Sequence, residues 1–242
     1  MSTSPNNMHR VSLEDAFILH SRPYSDTSRL LDIFTRTHGR ITLIAKGARS
    51  QKSKLQGILQ LFTPLLISWS GKGEVQTLTA AETVKTTISI TGTTVMCAFY
   101  MNELLQRMLT KYDPHPELYD IYHETLSKFS MDDEETTLRR FEKLLLQKVG
   151  YGLNLHNEAV TGDPIVASKN YIYDADKGAS YADKSNHDEW FISGQTLIDL
   201  AKDTYMNAES KSQAKQLMRK ILQRHLGDKP LKTRALHWYK PL

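Results

Sequence analysis

Between Asp15 and about Glu82 the apolar positions of this chain fall in short runs separated by turn-forming residues. The runs are AFILHS, RLLDIFT, RITLIAKG, FTPLLISWS and EVQTLTAAE, and the separators are RPYSDT, RTHGR, GARSQKSKLQG and GKG. Alternating or continuous apolar stretches of this length, closed off by Gly, Pro, Ser and Asp, predict five β-strands. After about residue 93 the period lengthens. VMCAFYMNELLQRMLTKY places apolar side chains at helical spacing behind Thr93 or Thr94 as a cap, and PELYDIYHETLSKFS opens with Pro116 at a first helical position. DDEETTLRRFEKLLLQKVG ends at Gly150, and SGQTLIDLAKD starts from Ser193 as a cap. These helices are expected to pack as a bundle. A last helix, about Lys211 to Leu226, sets Ala214, Leu217, Ile221 and Leu222 on one side and Lys211, Lys215 and Arg219 on another. Residues 153–192 lose the helical period and gain Gly, Asp, Asn and Tyr, which predicts an insertion of turns and short strands.

Five strands in about 70 residues predict a small closed barrel of the oligonucleotide-binding (OB) type, with an SH3-like barrel as the alternative. The fold class is α+β. An OB domain is expected over residues 1–83 and a helical domain over 84–242, with the irregular or β insertion at about 153–192 inside it. The connection after the third strand, Gly47 to Gly57, carries Arg49, Lys52 and Lys54 on what reads as a mobile loop, placed to follow a phosphate backbone. The plainer reading of that loop is an exposed linker.

Charge sharpens this picture. The total of +4 is modest, but it sums opposed blocks: +4 over residues 1–82, −8 over 83–210 and +8 over 211–242. Arg36, Arg40, Lys46, Arg49, Lys52 and Lys54 fall together without one intervening acid. Such a density suits a polyanion, and nucleic acid becomes the leading partner. Aromatic faces would complete a single-strand site. Tyr24, in its loop, is the stacking candidate, whereas Phe34, Phe62 and Trp69 read as barrel core.

Several classes are excluded. The longest apolar runs, Leu65 to Ile67 and Leu144 to Leu146, fall far below the roughly 18 residues of a membrane span, and the polar N-terminus lacks the apolar stretch of a secretory signal. A cytoplasmic, nucleoid-associated protein is expected, with no membrane partner. Cys97 stands alone, so neither a disulfide nor a thiolate zinc site can form around it. Neither GARSQKSK nor SGKGEVQT has the spacing of a phosphate-binding loop, and no Gly-x-Ser-x-Gly elbow occurs. His115, His123, His156 and His187 show no metal-ligand spacing, and Asp132, Asp133, Glu134 and Glu135 read as acids at the positive end of a helix. No catalytic residue, metal or cofactor is expected, and the chain is not read as an enzyme.

The stretch AFILHSRPYSDTSRLLDIFTRTHGRITLIAKGARSQKSKLQGILQLFTPL resembles the N-terminal barrel of the RecO family of bacterial recombination mediators. The likeness continues through GKGEVQTL, YMNELLQRML, DPHPELYDIY, LRRFEKLLLQKVGYGLN, TGDP and GDKPLKTRAL, in order along nearly the whole chain. It implies an OB domain, then a helical domain with a small zinc-ribbon-like insertion. It also implies a protein that binds single- and double-stranded DNA, anneals complementary strands and helps RecA replace single-strand-binding protein. In the family-like KPLKTR, Lys229, Lys232 and Arg234 would extend the basic track. The family binds the acidic C-terminal tail of single-strand-binding protein on its helical domain, and Arg139 and Arg140 beside Phe141 and Leu145 match that place; helix-surface arginines over a core helix are the alternative. RecR is the other implied partner. The chain departs from the pattern at the insertion, where a first zinc ligand would fall near Glu158 and no Cys-x-x-Cys follows. A metal-free insertion is therefore expected, shaped by Tyr171, Tyr173, Tyr181 and Trp190. The same barrel and loops would also serve an RNA-binding or ribosome-associated protein.

Overall fold

The computed structural model describes residues 9–86, 88–129, 133–182 and 190–235. Five strands close a barrel: β1 (His9–Tyr24), β2 (Ser28–Thr35), β3 (Gly39–Ala45), β4 (Leu65–Gly71) and β5 (Val75–Thr83), in the order β1-β2-β3-β5-β4. All neighbours are antiparallel except β3 and β5, which run parallel from Thr42↔Val75 to Ile44↔Thr77. A parallel pair cannot be joined by a tight hairpin. Here the chain leaves β3 through a short helix, α1 (Leu55–Ile58), crosses as β4 and returns as β5. That order is the OB arrangement, and the SH3-like alternative falls away.

β1 is much longer than the AFILHS run, because its polar first half also pairs. Val11, Glu14 and Ala16 lie opposite Trp69, Ile67 and Leu65 of β4, while Ala16 to Tyr24 lie opposite Thr35 to Ser28 of β2. Register breaks between Val11 and Glu14 and between Ile18 and His20 bend the strand so that one segment closes both sides of the barrel. At the first break Leu13 adopts φ 53° and its N–H donates to Ser68 Oγ at 3.1 Å.

Inside the barrel lie Ala16, Ile18, Leu31, Ile33, Ile41, Leu43, Leu65, Ile67 and Trp69. The outer face of β1 and β2 is covered too. α2 (Thr94–Met108) and α3 (Pro116–Lys128) lie there, with Tyr122 edge-on to Phe17 at 5.0 Å and Tyr119 at 5.6 Å from Phe34. Asn102 Nδ2 donates to Leu19 O at 2.9 Å, and Tyr122 Oη donates to Asn102 Oδ1 at 2.5 Å. Burial on two faces is why Ala16 to Leu19 read as one continuous apolar run. It also corrects the expected bundle. By contact the chain groups into Met1–Ser130 and Met131–Leu242, so α2 and α3 belong with the barrel.

The second unit holds α4 (Glu134–Lys148), α5 (Gly194–Lys202), α6 (Ala208–Leu226) and α7 (Lys232–Ala235). Asp133, Ser193 and Asn207 cap the first three, each accepting an N–H from three residues on. Asn207 starts α6 nearly a turn ahead of the expected Lys211. The insertion forms a three-stranded sheet, β7-β6-β8, from β6 (Asn170–Asp174), β7 (Gly178–Tyr181) and β8 (Ile192–Ser193). Tyr171 is buried in it, but Tyr181 is exposed and Trp190 is half-buried under Lys220 Nζ, 4.1 Å from the ring centroid. Packing of four aromatic rings is therefore not its sole support. Among the described residues no helix is long and apolar enough to cross a membrane.

Gly39 shows how tightly the barrel meets its helices. It has φ +69°, and a Cβ there would sit 2.3 Å from Asp113 O, on backbone that cannot swing away. Gly39→Ala should lower stability by about 2 kcal/mol or more in urea unfolding; an unchanged midpoint would contradict the close approach.

Candidate nucleic-acid interface

The strand register decides which of the expected cations meet. In the β2–β3 hairpin the turn follows Thr35↔Gly39 and the open end is Arg29↔Ala45, six residue pairs away. At about 3.4 Å per residue the two ends are separated by about 20 Å. Arg36 and Arg40 lie at the turn end; Lys46, Arg49, Lys52 and Lys54 follow the open end. The six do not form one track.

The two arginines at the turn end are already engaged. Arg36 makes a bidentate pair with Asp120 of α3, Nε to Oδ1 at 3.0 Å and Nη2 to Oδ2 at 2.9 Å, and these bonds hold the Asp120 carboxyl below its ordinary range. Arg40 is largely buried, with Nη1 3.2 Å from Asp32 Oδ2. Burial pushes the Asp32 carboxyl up, and Arg40 opposes that shift. The segment after α2 lies along β3 here: Tyr112 N–H donates to Arg40 O, and Tyr112 Oη donates to Glu74 O at 2.7 Å. This covers the lower part of the β2–β3 face. Both arginines thus join the barrel to its own chain.

The other end is different. The β1–β2 turn and the β3–α1 connection come together there, because Arg49 N–H donates to Thr27 O at 2.8 Å and Arg49 Nη1 to Ser25 O at 3.0 Å. Ala48 is fully buried in the barrel core, so the connection is pinned at its start and is no free linker. Lys46, Arg49, Lys52 and Lys54 are all exposed on it, and among the described residues none of the three lysines has an ion pair. Tyr24, 48% exposed, stands on the adjoining turn. Sequence proximity missed Arg22 and Arg29, which the pairs Arg22↔Leu30, Pro23↔Arg29 and Arg29↔Ala45 bring to this same end. A hairpin register drawn through RPYSDT would have found them. Six cations and one exposed ring thus share this end of the barrel, groups of the kind that neutralise phosphates and accept a base of any identity.

Trp69 is buried inside the barrel and Phe34 outside it against α3, so neither offers a free face; Phe62 meets Phe99 edge-on at 5.1 Å. In the second unit Lys229 and Lys232 are exposed, and Arg234 lies in α7 with its side chain outside the described residues. His187 and Asp132 also lie outside them.

α4 divides the expected tail-binding set between core and surface. α4 turns Arg139, Phe141, Glu142 and Leu145 inward: Phe141 and Leu145 are fully buried, and Arg139 Nη2 pairs with the buried Glu142 Oε1 at 2.7 Å. Only Arg140 of the four stands out, 3.9 Å from Asp203. Phe141 and Leu145 are core, as the alternative reading of this helix has them, whereas Arg139 is buried rather than on the helix surface.

The comparisons agree along the whole chain. The family model described as Recombination protein O N terminal matches residues 8–87, and Recombination protein O C terminal matches residues 91–235. A DNA repair protein RecO of Paraburkholderia xenovorans is 41% identical over 96% of this chain and 78% of its own length. One from Nitrosospira multiformis is 42% identical over 94% of this chain and 95% of its own.

Truncating Arg139 should separate core from surface. Arg139→Ala removes the cation paired with a buried carboxylate and should cost about 3 kcal/mol in denaturant unfolding, whereas the half-buried Arg140→Ala should cost less than about 1 kcal/mol. Equal costs would contradict the placement of Arg139.

Proposed function

The chain belongs to the RecO family of DNA repair proteins, and from that premise we propose that it is a recombination mediator. It binds single- and double-stranded DNA, anneals complementary strands and helps RecA load onto DNA coated by single-strand-binding protein. The observation that carries this reading is the basic end of the barrel, where Arg22, Arg29, Lys46, Arg49, Lys52 and Lys54 lie at the same end as the exposed Tyr24.

The chemistry asked of this surface is small. Two strands repel through their phosphates, and base pairing supplies the free energy once that repulsion is screened. The six cations take the phosphates, and Tyr24 offers a ring to an unpaired base. No bond is made or broken, so the proposed activity needs neither a catalytic residue nor a cofactor. Lys229, Lys232 and Arg234 extend the phosphate contacts on the second unit. That unit also takes the acidic tail of single-strand-binding protein, with Arg140 as its surface cation, and RecR is a further partner. The protein works on chromosomal DNA in the cytoplasm.

Six neutralised phosphates predict that log affinity falls against log salt with a slope of roughly −4 on single strands and about −5 on duplex. A slope near zero would remove the barrel end from DNA binding. Complementary oligonucleotides coated with single-strand-binding protein should anneal faster with this protein and without ATP, and deletion of the acidic tail should abolish the effect. No acceleration would contradict the mediator reading, and tighter binding of RNA than of single-stranded DNA would favour an RNA-directed role.

A further inference from the structure

The insertion is where the family likeness implies zinc, and its residues do not fit that ion. Glu158 stands where a first ligand would fall, and it is 7% exposed. A zinc site needs several ligands converging on one ion. Both carboxylate oxygens of Glu158 face backbone N–H groups instead. Oε2 accepts from Thr161 N at 2.6 Å and Val160 N at 3.2 Å, and Oε1 accepts from Tyr181 N, in β7, at 3.2 Å. Among the described residues no three His, Cys, Asp or Glu side chains converge on a point that could hold a metal.

We infer that Glu158 takes the place of a metal in this insertion: its buried carboxylate clasps the 158–163 turn to β7 through three backbone N–H groups, and the sheet folds without zinc. A structural zinc ion ties two chain segments by sharing their thiolates. A carboxylate has about four acceptor positions and can tie two segments from the other direction, by accepting from both. Charged acceptors make stronger hydrogen bonds than neutral ones, and three of them offset the cost of removing a carboxylate from water. The Thr161 N–H first, then the Thr161 hydroxyl, then the N–H groups of Tyr181 and Val160, hold the carboxyl below its ordinary range, as expected for an ionised clasp.

The surrounding backbone agrees with this role. Glu158 N–H donates to Asp163 O at 2.8 Å and Gly162 N–H donates back to Glu158 O at 3.0 Å, which closes the turn. Ala159 N–H donates to Ala179 O at 2.7 Å, a second tie from the turn to β7. The carboxylate therefore completes a junction that the main chain has begun. This inference stands whether or not the chain loads RecA.

Two measurements test it on the full chain. Purified protein should contain far less than one zinc per chain by plasma mass spectrometry, and its melting temperature should be the same in chelator and in added zinc. One zinc per chain, whose removal lowers the melting temperature, would overturn the inference. In hydrogen exchange, Glu158→Ala should speed exchange of the Val160, Thr161 and Tyr181 amides by about tenfold or more, while amides at Leu145 and Leu217 keep their protection. Unchanged exchange at the three amides would overturn it equally. Glu158→Gln retains one acceptor oxygen and should show a smaller loss at the same amides, a readout that remains if the alanine variant does not fold.

Discussion

The first strand carries the N-terminal unit. β1 supplies Ala16 and Ile18 to the inside of the barrel and Phe17 and Leu19 to the outside, where α2 and α3 cover them. Its first half pairs with β4 and its second half with β2, so barrel closure and helix docking depend on the same sixteen residues. Burial on two faces leaves β1 no latitude in register, because a one-residue slip would exchange the core residues with those under the helices. The β1–β2 turn inherits that rigidity. Tyr24 and its neighbouring cations are thereby held on a fixed mouth, while the opposite end of the barrel is occupied by contacts to α3 and to the segment that precedes it.

How much of this was legible in the sequence depends on whether the signal was local. The five strands were, because each is a short apolar run between turn residues; so was the cap at Ser193. The polar half of β1 was not, since His9 to Asp15 pair without a clean alternation and bend at the register break between Val11 and Glu14. Asn207 was overlooked as a cap because the first turn of α6 is polar. Among the cations, nearness along the chain misled. Arg36 and Lys46 are ten positions apart, yet the hairpin sends them to opposite ends, whereas Arg22 and Lys46 are far apart in sequence and come together.

α4 teaches the same lesson in another form. Arg139 and Arg140 are adjacent, and helical geometry turns one into the core and leaves the other on the surface. A buried arginine was not predictable without its partner, and Glu142, three residues on, was the available sign. Glu158 was visible only as a departure from a family pattern. Its work depends on the N–H of Tyr181, a residue that sequence reading treated as an aromatic ring rather than as a backbone donor. Family membership supplies what no single side chain could: a role in DNA repair.

On the proposed reading the open end of the barrel, and not its turn end, meets the DNA strand. The most direct measurement is amide chemical-shift mapping of the full chain titrated with a short oligothymidylate at low salt. The account predicts perturbations concentrated at Tyr24–Arg29 and Lys46–Lys54, with Thr35–Arg40 nearly still. Perturbations centred on Thr35–Arg40, or none on the barrel, would contradict it.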